Sequence, residues 1–503
     1  MNNINNIEYY ISELKKEGLL TEYSLKENLP VTSVTYDSRK VEEGALFICK
    51  GAHFNVKYLE GAIEKGAVCY VSENNYEGYN DISYIIVNDI RRAMSVLALS
   101  FYGNLSEKIK MIGITGTKGK STTTYFTRYI FDDYLKDSGK NRIGYCSGIY
   151  NYDGVTEEES QLTTPENLVL FEHMNNAVNS DIEYMVMEVS SQGLKYNRVD
   201  GVVFEVACFS NIGEDHISPV EHPDFEDYFN SKLRIFNQCR KACINMDSDH
   251  FKEIRESASV VPYITFSIND KSANVYGYNI KSENGRVEFD VDVKAVPDYE
   301  DVTEHVTLAA FGTINVTNAL AAIAIAVLQG VPMKYCISGL SKALVPGRMQ
   351  VFRSKNGKRI GLVDYAHNRL SYELLLSSIT KEFPDKKIVL VFGSSGSKAY
   401  NRREELGSIA GKYCRHVVLT EDDGADEDVA SICREIATYL GPDCTYDIVV
   451  DRPEAVRKAI READDDTIVI AAGKAMETFQ KRGGFSVKIE SDVEVMSREF
   501  ELI

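Results

Sequence analysis

Residues 110–124 read KMIGITGTKGKSTTT, and the fold turns on how this stretch is read. The apolar run KMIGIT has the character of a buried strand, while the residues from Lys120 onward can form a helix. Gly113, Gly116 and Gly119 leave the backbone free to turn, so that several N–H groups gather at a helix N-terminus. That arrangement attracts phosphate, through the donors themselves and through the helix dipole. Lys120 would then reach the outer phosphates of a nucleotide and Ser121 would offer its hydroxyl to Mg²⁺. The strict GxxxxGK[ST] spacing is not met, because Ile114 occupies the place of the first glycine. A glycine-rich connector with an incidental lysine is the bland alternative. The strand–turn–helix context favours ATP binding.

The rest of the chain sets bounds on that reading. At 503 residues it is long enough for two to four domains. Its composition, 44% hydrophobic and 26% charged, is that of a soluble globular protein. With 56 basic and 75 acidic side chains the formal charge is −19, which argues against general binding of nucleic acid or anionic membrane. An anion therefore needs a local site, such as residues 113–124. The N-terminal sequence MNNINNIEYYISELKKEGL has no signal-like apolar core, and no apolar run approaches membrane-spanning length; a cytoplasmic protein without membrane insertion is expected. Ten cysteines are scattered without a CxxC pair, and Cys239 with Cys243 has no second half for a zinc site, so buried reduced thiols are expected.

Three α/β patterns follow one another. Residues 1–108 carry short strand-like runs at ALFIC, AVCYVS and YIIVN. Residues 109–335 add YMVMEVS, VVFEVACFSNI and ACINM, apolar runs separated by helical segments as in a parallel sheet. Within them VEFDVDV, after Asn284-Gly285, alternates as a solvent-facing hairpin should, and NVTNALAAIAIAVLQG reads as a helix stopped at Gly330. Residues 336–503 place strands at RIGLVDYA, KIVLVFG, HVVLT, DIVV and TIVIAAG. The expectation is an α/β protein of three domains.

The loop TGTKGKST resembles the phosphate loop of the Mur ligases, the cytosolic enzymes that build the peptide stem of peptidoglycan, and the resemblance extends in order along nearly the whole chain. DSRKVEEGALFICKG (37–51), LTTPEN (162–167), MEVSSQGL (187–194), NIGEDH (211–216) and YFNSKLRIF (228–236) are followed by NVTNA (315–319), VPGRMQ (345–350), DYAH (364–367), VFGSSG (391–396) and AAGKAMETFQ (471–480). The branch it is most similar to is the MurE type. This implies an N-terminal α/β uridine-nucleotide domain over 1–108, a central P-loop parallel-sheet ATPase domain over 109–335, and a C-terminal Rossmann-like domain over 336–503 that binds an amino acid. It also implies an ATP- and Mg²⁺-dependent ligase, expected as a monomer, that joins an amino acid to UDP-MurNAc-L-Ala-D-Glu.

Carried over residue by residue, the resemblance gives Gly116, Thr117, Lys118, Gly119, Lys120, Ser121 and Thr122 to ATP, together with Asn318, Arg348, Asp364 and His367. Ser121, Glu188, His216 and Lys232 would hold metal, Lys232 as a side-chain carbamate that turns a cation into an oxygen ligand. Lys120, Glu188, His216 and Lys232 form the expected catalytic set. Ser38, Thr163, Thr164, Ser190 and Arg198 match positions that take the uridine-nucleotide substrate. A surface lysine on an amphipathic helix is the plain alternative for Lys232, and turn or cap roles are the plain alternatives for the hydroxyl residues.

Departures cluster where substrate is recognised. The family's D-G reads Asn55-Val56, its S-S-H reads Ser190-Ser191-Gln192, and a glutamine is replaced by Tyr196. Members that add meso-diaminopimelate carry D-N-P-R, whose arginine pairs with the far carboxylate; here the residues are Asp422-Asp423-Gly424-Ala425, and a second arginine is replaced by Lys398. The G-K-G-H-E segment reads Gly473-Lys474-Ala475-Met476-Glu477, with the glutamate kept. A side chain ending in both amine and carboxylate needs a bidentate cation, so its loss favours a distal amine alone. L-Lysine leads as the added amino acid, recognised through Lys398, Asp422, Asp423, Gly473 and Glu477. Diaminopimelate, or a related enzyme acting on a different carboxylate, is the alternative.

Overall fold

The computed structural model describes residues 4–51, 54–79, 81–215, 217–218, 221–283, 286–310, 312–397, 400–483 and 485–503. They divide into two compact units, one of residues 1–276, 293–302 and 320–336, the other of 277–292, 303–319 and 337–503.

The first unit opens with a sheet in the order Leu20–Ser24, Ser83–Val87, Cys69–Ser72, Ala45–Ile48, Ser33–Thr35, parallel except for its first pair. Every side chain of Ala45–Ile48 is buried. Successive residues feed different cores, as the two-residue period of a strand requires: Leu46 and Ile48 face one cluster, Ala45 and Phe47 the other. The first of those clusters runs on without a break into the parallel sheet that follows, through Met111, Met185, Phe204 and Ala242.

That second sheet carries the four expected apolar runs and adds strands Gly144–Cys146 and Tyr263–Ser267, which lie outside those runs. The order is Gly144–Cys146, Tyr184–Glu188, Lys110–Thr115, Phe204–Phe209, Cys239–Asn245, Tyr263–Ser267, all parallel. The strand reached first in sequence lies in the interior of the sheet, and the chain passes to either side of it. Open α/β sheets bind ligands at such a reversal, outside the carboxyl ends of the strands. An antiparallel pair, Tyr150–Tyr152 with Glu157–Glu159, extends the Gly144–Cys146 edge. The helix predicted to stop at Gly330 spans Ile314–Leu328, with Gly330 at φ 71°. No helix among the described residues is long and apolar enough to cross a membrane.

In the second unit a sheet runs Gln350–Arg353, Ile360–Asp364, Thr467–Ala472, Lys387–Phe392, His416–Leu419, Thr445–Ile448, parallel after its first pair. Apolar clusters cover both of its faces, which is why its strands read as unbroken hydrophobic runs. Arg286–Val293 buries alternate residues, as its sequence predicts; the Asn284-Gly285 turn lies outside the described residues. The expected thiol state is also found: nine cysteines are buried, Cys239 is partly so, and all are free.

Candidate active site

At the end of Lys110–Thr115 the chain turns through Gly116 at φ 150°, where an added methyl group would stand 2.0 Å from Ser210 Oγ. Only glycine fits so close an approach. Gly119, at φ 82°, caps the helix Lys120–Asp137, which begins with Lys120, Ser121 and Thr122. Segment 210–213 holds the loop open: Thr117 N donates to Asn211 O (3.0 Å), Lys118 N to Asn211 Oδ1 (2.9 Å), and Asn211 Nδ2 to Lys118 O (2.9 Å). Lys118 Nζ pairs with Asp215 at 3.1 Å.

Two lysines converge on one carbonyl. Gly116 O accepts from Lys120 Nζ at 2.8 Å and from Lys232 Nζ at 2.9 Å. Lys232 comes from the helix Phe225–Leu233 and is 1% exposed, not the surface lysine of the plain alternative. Its Nζ lies 4.7 Å from the centre of the Tyr228 ring, and Tyr228 OH is 3.0 Å from Thr117 Oγ1. Burial, reinforced by repulsion from Lys120, holds the Lys232 amine well below the usual lysine range, against a smaller pull from Asp215. Its helix is braced by His222, whose ring nitrogens bond Asp227 Oδ2 (2.5 Å) and Ser191 Oγ (2.9 Å).

Glu188 ends its strand opposite Ile114, is 1% exposed, and accepts from Gly148 N at 2.7 Å. Thr164 Oγ1 donates to Glu188 O (3.0 Å) and accepts from Ser190 N (2.9 Å), while Ser190 Oγ accepts from Gly193 N (3.0 Å). Thr163 lies beside Gly148, and Arg198 Nη1 donates to Thr164 O at 3.3 Å. The first unit therefore brings together residues 116–122, Glu188, Lys232, Thr163, Thr164, Ser190 and Arg198. Ser38 sits in the loop after Ser33–Thr35, its carbonyl accepting from Lys65 Nζ at 2.8 Å. His216 lies outside the described residues.

The second unit gathers another group at the carboxyl ends of its strands. Asp364 accepts from Met349 N and Ala366 N, both at 2.8 Å, and its carbonyl accepts from Gly473 N at 3.1 Å. The Arg348 guanidinium lies 4.4 Å from the centre of the Tyr365 ring. Tyr365 OH donates to Glu477 Oε1 (2.8 Å), and His367 Nδ1 bonds Tyr365 O (2.8 Å). Glu477 pairs with Lys474, whose Nζ is 3.0 Å from Asp423 Oδ1. Asp423 also accepts from Lys481 N at 3.0 Å, so its charge is already met within the unit, by groups distant in sequence. Burial pushes the Asp422 carboxyl up, with Arg452 and Lys474 opposing. Asn318 is buried on Ile314–Leu328, donating to Asn315 Oδ1 at 3.1 Å. Lys398 lies outside the described residues.

Sequence reasoning passed over Ser210, Asn211, Tyr228 and Lys474. All four stand inside the quoted motif segments or next to them, but nothing in their type marks a loop brace or an internal counter-ion.

Residues 114–326 match the Mur ligase middle domain and residues 347–475 the Mur ligase, glutamate ligase domain. The chain is 38% identical over 486 residues to the UDP-N-acetylmuramoyl-L-alanyl-D-glutamate–L-lysine ligase of Enterococcus faecalis, covering 94% of each chain. It is 37% identical over 487 residues to the enzyme of the same name from Streptococcus pneumoniae, covering 94% of this chain and 95% of that one. Among solved structures, a UDP-N-acetylmuramoyl-L-alanyl-D-glutamate–2,6-diaminopimelate ligase shares the fold with a TM-score of 0.64 at 24% identity, over 96% of this chain and 97% of the other.

Proposed function

The chain belongs to the Mur ligase family, and from that premise we propose that it is an ATP-dependent ligase joining L-lysine to UDP-MurNAc-L-Ala-D-Glu through an amide bond, in the synthesis of peptidoglycan precursors. Relatives bearing that name match it over nearly its full length. The observation that carries the chemistry is the buried Lys232 amine set against the carbonyl of the phosphate loop.

Amide formation from a carboxylate requires activation. The terminal phosphoryl group of ATP passes to the acceptor carboxylate, giving an acyl phosphate and ADP. The lysine amine then adds to the acyl carbon, and the tetrahedral intermediate collapses to the amide, releasing phosphate and a proton. The N-terminus of the helix that begins at Lys120, together with the Lys120 ammonium, holds the nucleotide's phosphates and offsets charge that builds during transfer. Thr163, Thr164, Ser190 and Arg198 orient the acceptor beside Glu188. In the second unit, Arg348, Asp364, His367 and Asn318 serve ATP, and Asp422, Asp423, Gly473 and Glu477, with Lys398, serve the incoming amino acid. In the proposed domain division 1–108, 109–335 and 336–503, Asn318 belongs to the central domain and the other residues of this group to the last.

Magnesium, when bound, neutralises phosphate charge and aligns the reacting oxygens. The donors suit it only in part as they stand: Ser121 and Glu188 supply oxygens, but an ammonium cannot. Lys232 meets the need by another route. Burial draws the Lys232 amine down and so favours its losing a proton; the deprotonated amine is a nucleophile toward CO₂, and its addition yields a carbamate and one proton. Ser121, Glu188 and the Lys232 carbamate would then hold Mg²⁺, and His216 a second metal ion.

Purified protein given ATP, Mg²⁺ and UDP-MurNAc-L-Ala-D-Glu should release ADP only when an amine is present, with lysine used in preference to ornithine and to diaminopimelate. Phosphate release independent of any amine, or preference for diaminopimelate, would overturn the assignment.

A further inference from the structure

Beside Thr164, three charged side chains from distant parts of the sequence meet. Lys50 Nζ lies 2.5 Å from Glu166 Oε2, and Arg198 Nη2 lies 3.2 Å from Glu166 Oε1. Their side chains are only 14%, 17% and 12% exposed for Lys50, Glu166 and Arg198 respectively, so two cations share a single carboxylate largely out of water. Excess charge in such a place is costly unless an anion joins it.

Among the described residues, the surroundings do not supply that anion. The Tyr36 ring flanks Lys50, its centre 5.0 Å from Nζ. Arg91, stacked 4.0 Å over the Tyr196 ring, adds a further positive charge to the neighbourhood. Glu172 and Asp37 pair elsewhere, with Lys40 (3.5 Å) and Arg39 (2.7 Å). Arg198 Nε is buried with no hydrogen-bond partner among the described residues. Through Arg198 Nη1 to Thr164 O, and Thr164 Oγ1 to Glu188 O, the cluster is two hydrogen bonds from the residue at the end of the central strand.

We propose that Lys50 and Arg198 form an oxyanion-binding pair for an acidic group of the acceptor substrate, and that Glu166 is a resident carboxylate that keeps the pair in place and yields one partner when substrate enters. The inference rests on the ligase reading, since that acceptor carries both a diphosphate and peptide carboxylates. It adds a binding role for Lys50, and it makes Glu166 a competitor of the substrate rather than a contact to it. Burial draws Lys50 down from the usual lysine range while Glu166 draws it up, and a second anion would reinforce the latter.

The test begins with wild-type protein, because absence of lysine-dependent ADP release from UDP-MurNAc-L-Ala-D-Glu would remove the ligase reading and this inference with it. With wild-type activity in hand, Lys50→Met should raise KM for the acceptor about tenfold, the loss of one charge-assisted hydrogen bond. KM for ATP and the melting temperature should stay close to wild type. Lys50→Arg should recover most of the affinity, and Glu166→Gln should lower KM for the acceptor. Free UDP as a competing ligand identifies the group: parallel weakening of UDP in Lys50→Met assigns the diphosphate, and unchanged UDP binding assigns a peptide carboxylate. A fall in melting temperature with no change in acceptor KM would make the cluster a clamp within the unit and overturn the proposal. So would an equal rise in both KM values, or a Glu166→Gln variant that binds acceptor as poorly as Lys50→Met. Should Lys50→Met not fold, Lys50→Arg and Glu166→Gln still decide by the direction of their KM shifts.

Discussion

Lys232 sits where a helical lysine would ordinarily trail into solvent, yet it is 1% exposed and bonded to Gly116 O. Lys232→Ala should abolish ligation, by at least about a hundredfold in kcat/KM if one transition-state contact of the usual size is lost, and added bicarbonate should not restore it; full activity would remove the carbamate role. Gly116→Ala tests the loop by a different route. Its methyl group would meet Ser210 Oγ at 2.0 Å, so the loop must shift, and nucleotide affinity measured by calorimetry should collapse while the far-ultraviolet spectrum is kept. At this scale the sequence was legible in placement: residues 116–122 form the turn from strand to helix and Glu188 ends its strand, as their motifs predict. It was silent on Lys50, because the partners of that lysine are set by tertiary contact. It gave Asp423 to the incoming amino acid without showing that the Lys474 ammonium meets its charge, because that lysine lies far along the chain.

Among elements, unbroken apolar runs mark the parallel strands well, since a strand covered on both faces has no polar side to interrupt it. Polar edge strands escape that rule. Tyr150–Tyr152 and Glu157–Glu159 pair in a hairpin whose sequence carries little hydrophobic signal, and what fixes it is a buried carboxylate. Asp153, fully buried, accepts from Val155 N (2.9 Å), Thr156 N (2.7 Å) and Asn176 Nδ2 (2.9 Å), and lies 2.8 Å from His173 Nδ1. Burial pushes its carboxyl up, but the bonds from His173, Thr156, Asn176 and Val155 outweigh that and hold it well below the usual aspartate range. A carboxyl depressed in the folded state stabilises above its unfolded value, about 4, and loses that contribution as pH falls toward the folded value. Asp153→Ala should therefore cost about 2–4 kcal/mol in urea unfolding at pH 7, with the gap to wild type narrowing in acid. A gap that does not change with pH would show that packing, not charge, holds the turn.

Across the whole molecule the fold class was plain from the succession of three α/β patterns, whereas the joint core of residues 7–258 was not. Each run advertises burial without saying against which neighbour. The thiols offer a test at this scale. Burial pushes Cys49, Cys69 and Cys146 up, and Cys239, the partly exposed one, up to about 12. Thiolate is the reactive form, so a thiol reagent at neutral pH should modify no more than Cys239 within minutes on the native protein, and all ten cysteines once it is unfolded. Rapid capture of several thiols from the native state would contradict the burial described above. If the burial holds, sulfur becomes a stopwatch. Each labelling event records that the chain has opened, and a sample saturated with nucleotide should run that stopwatch more slowly than one without.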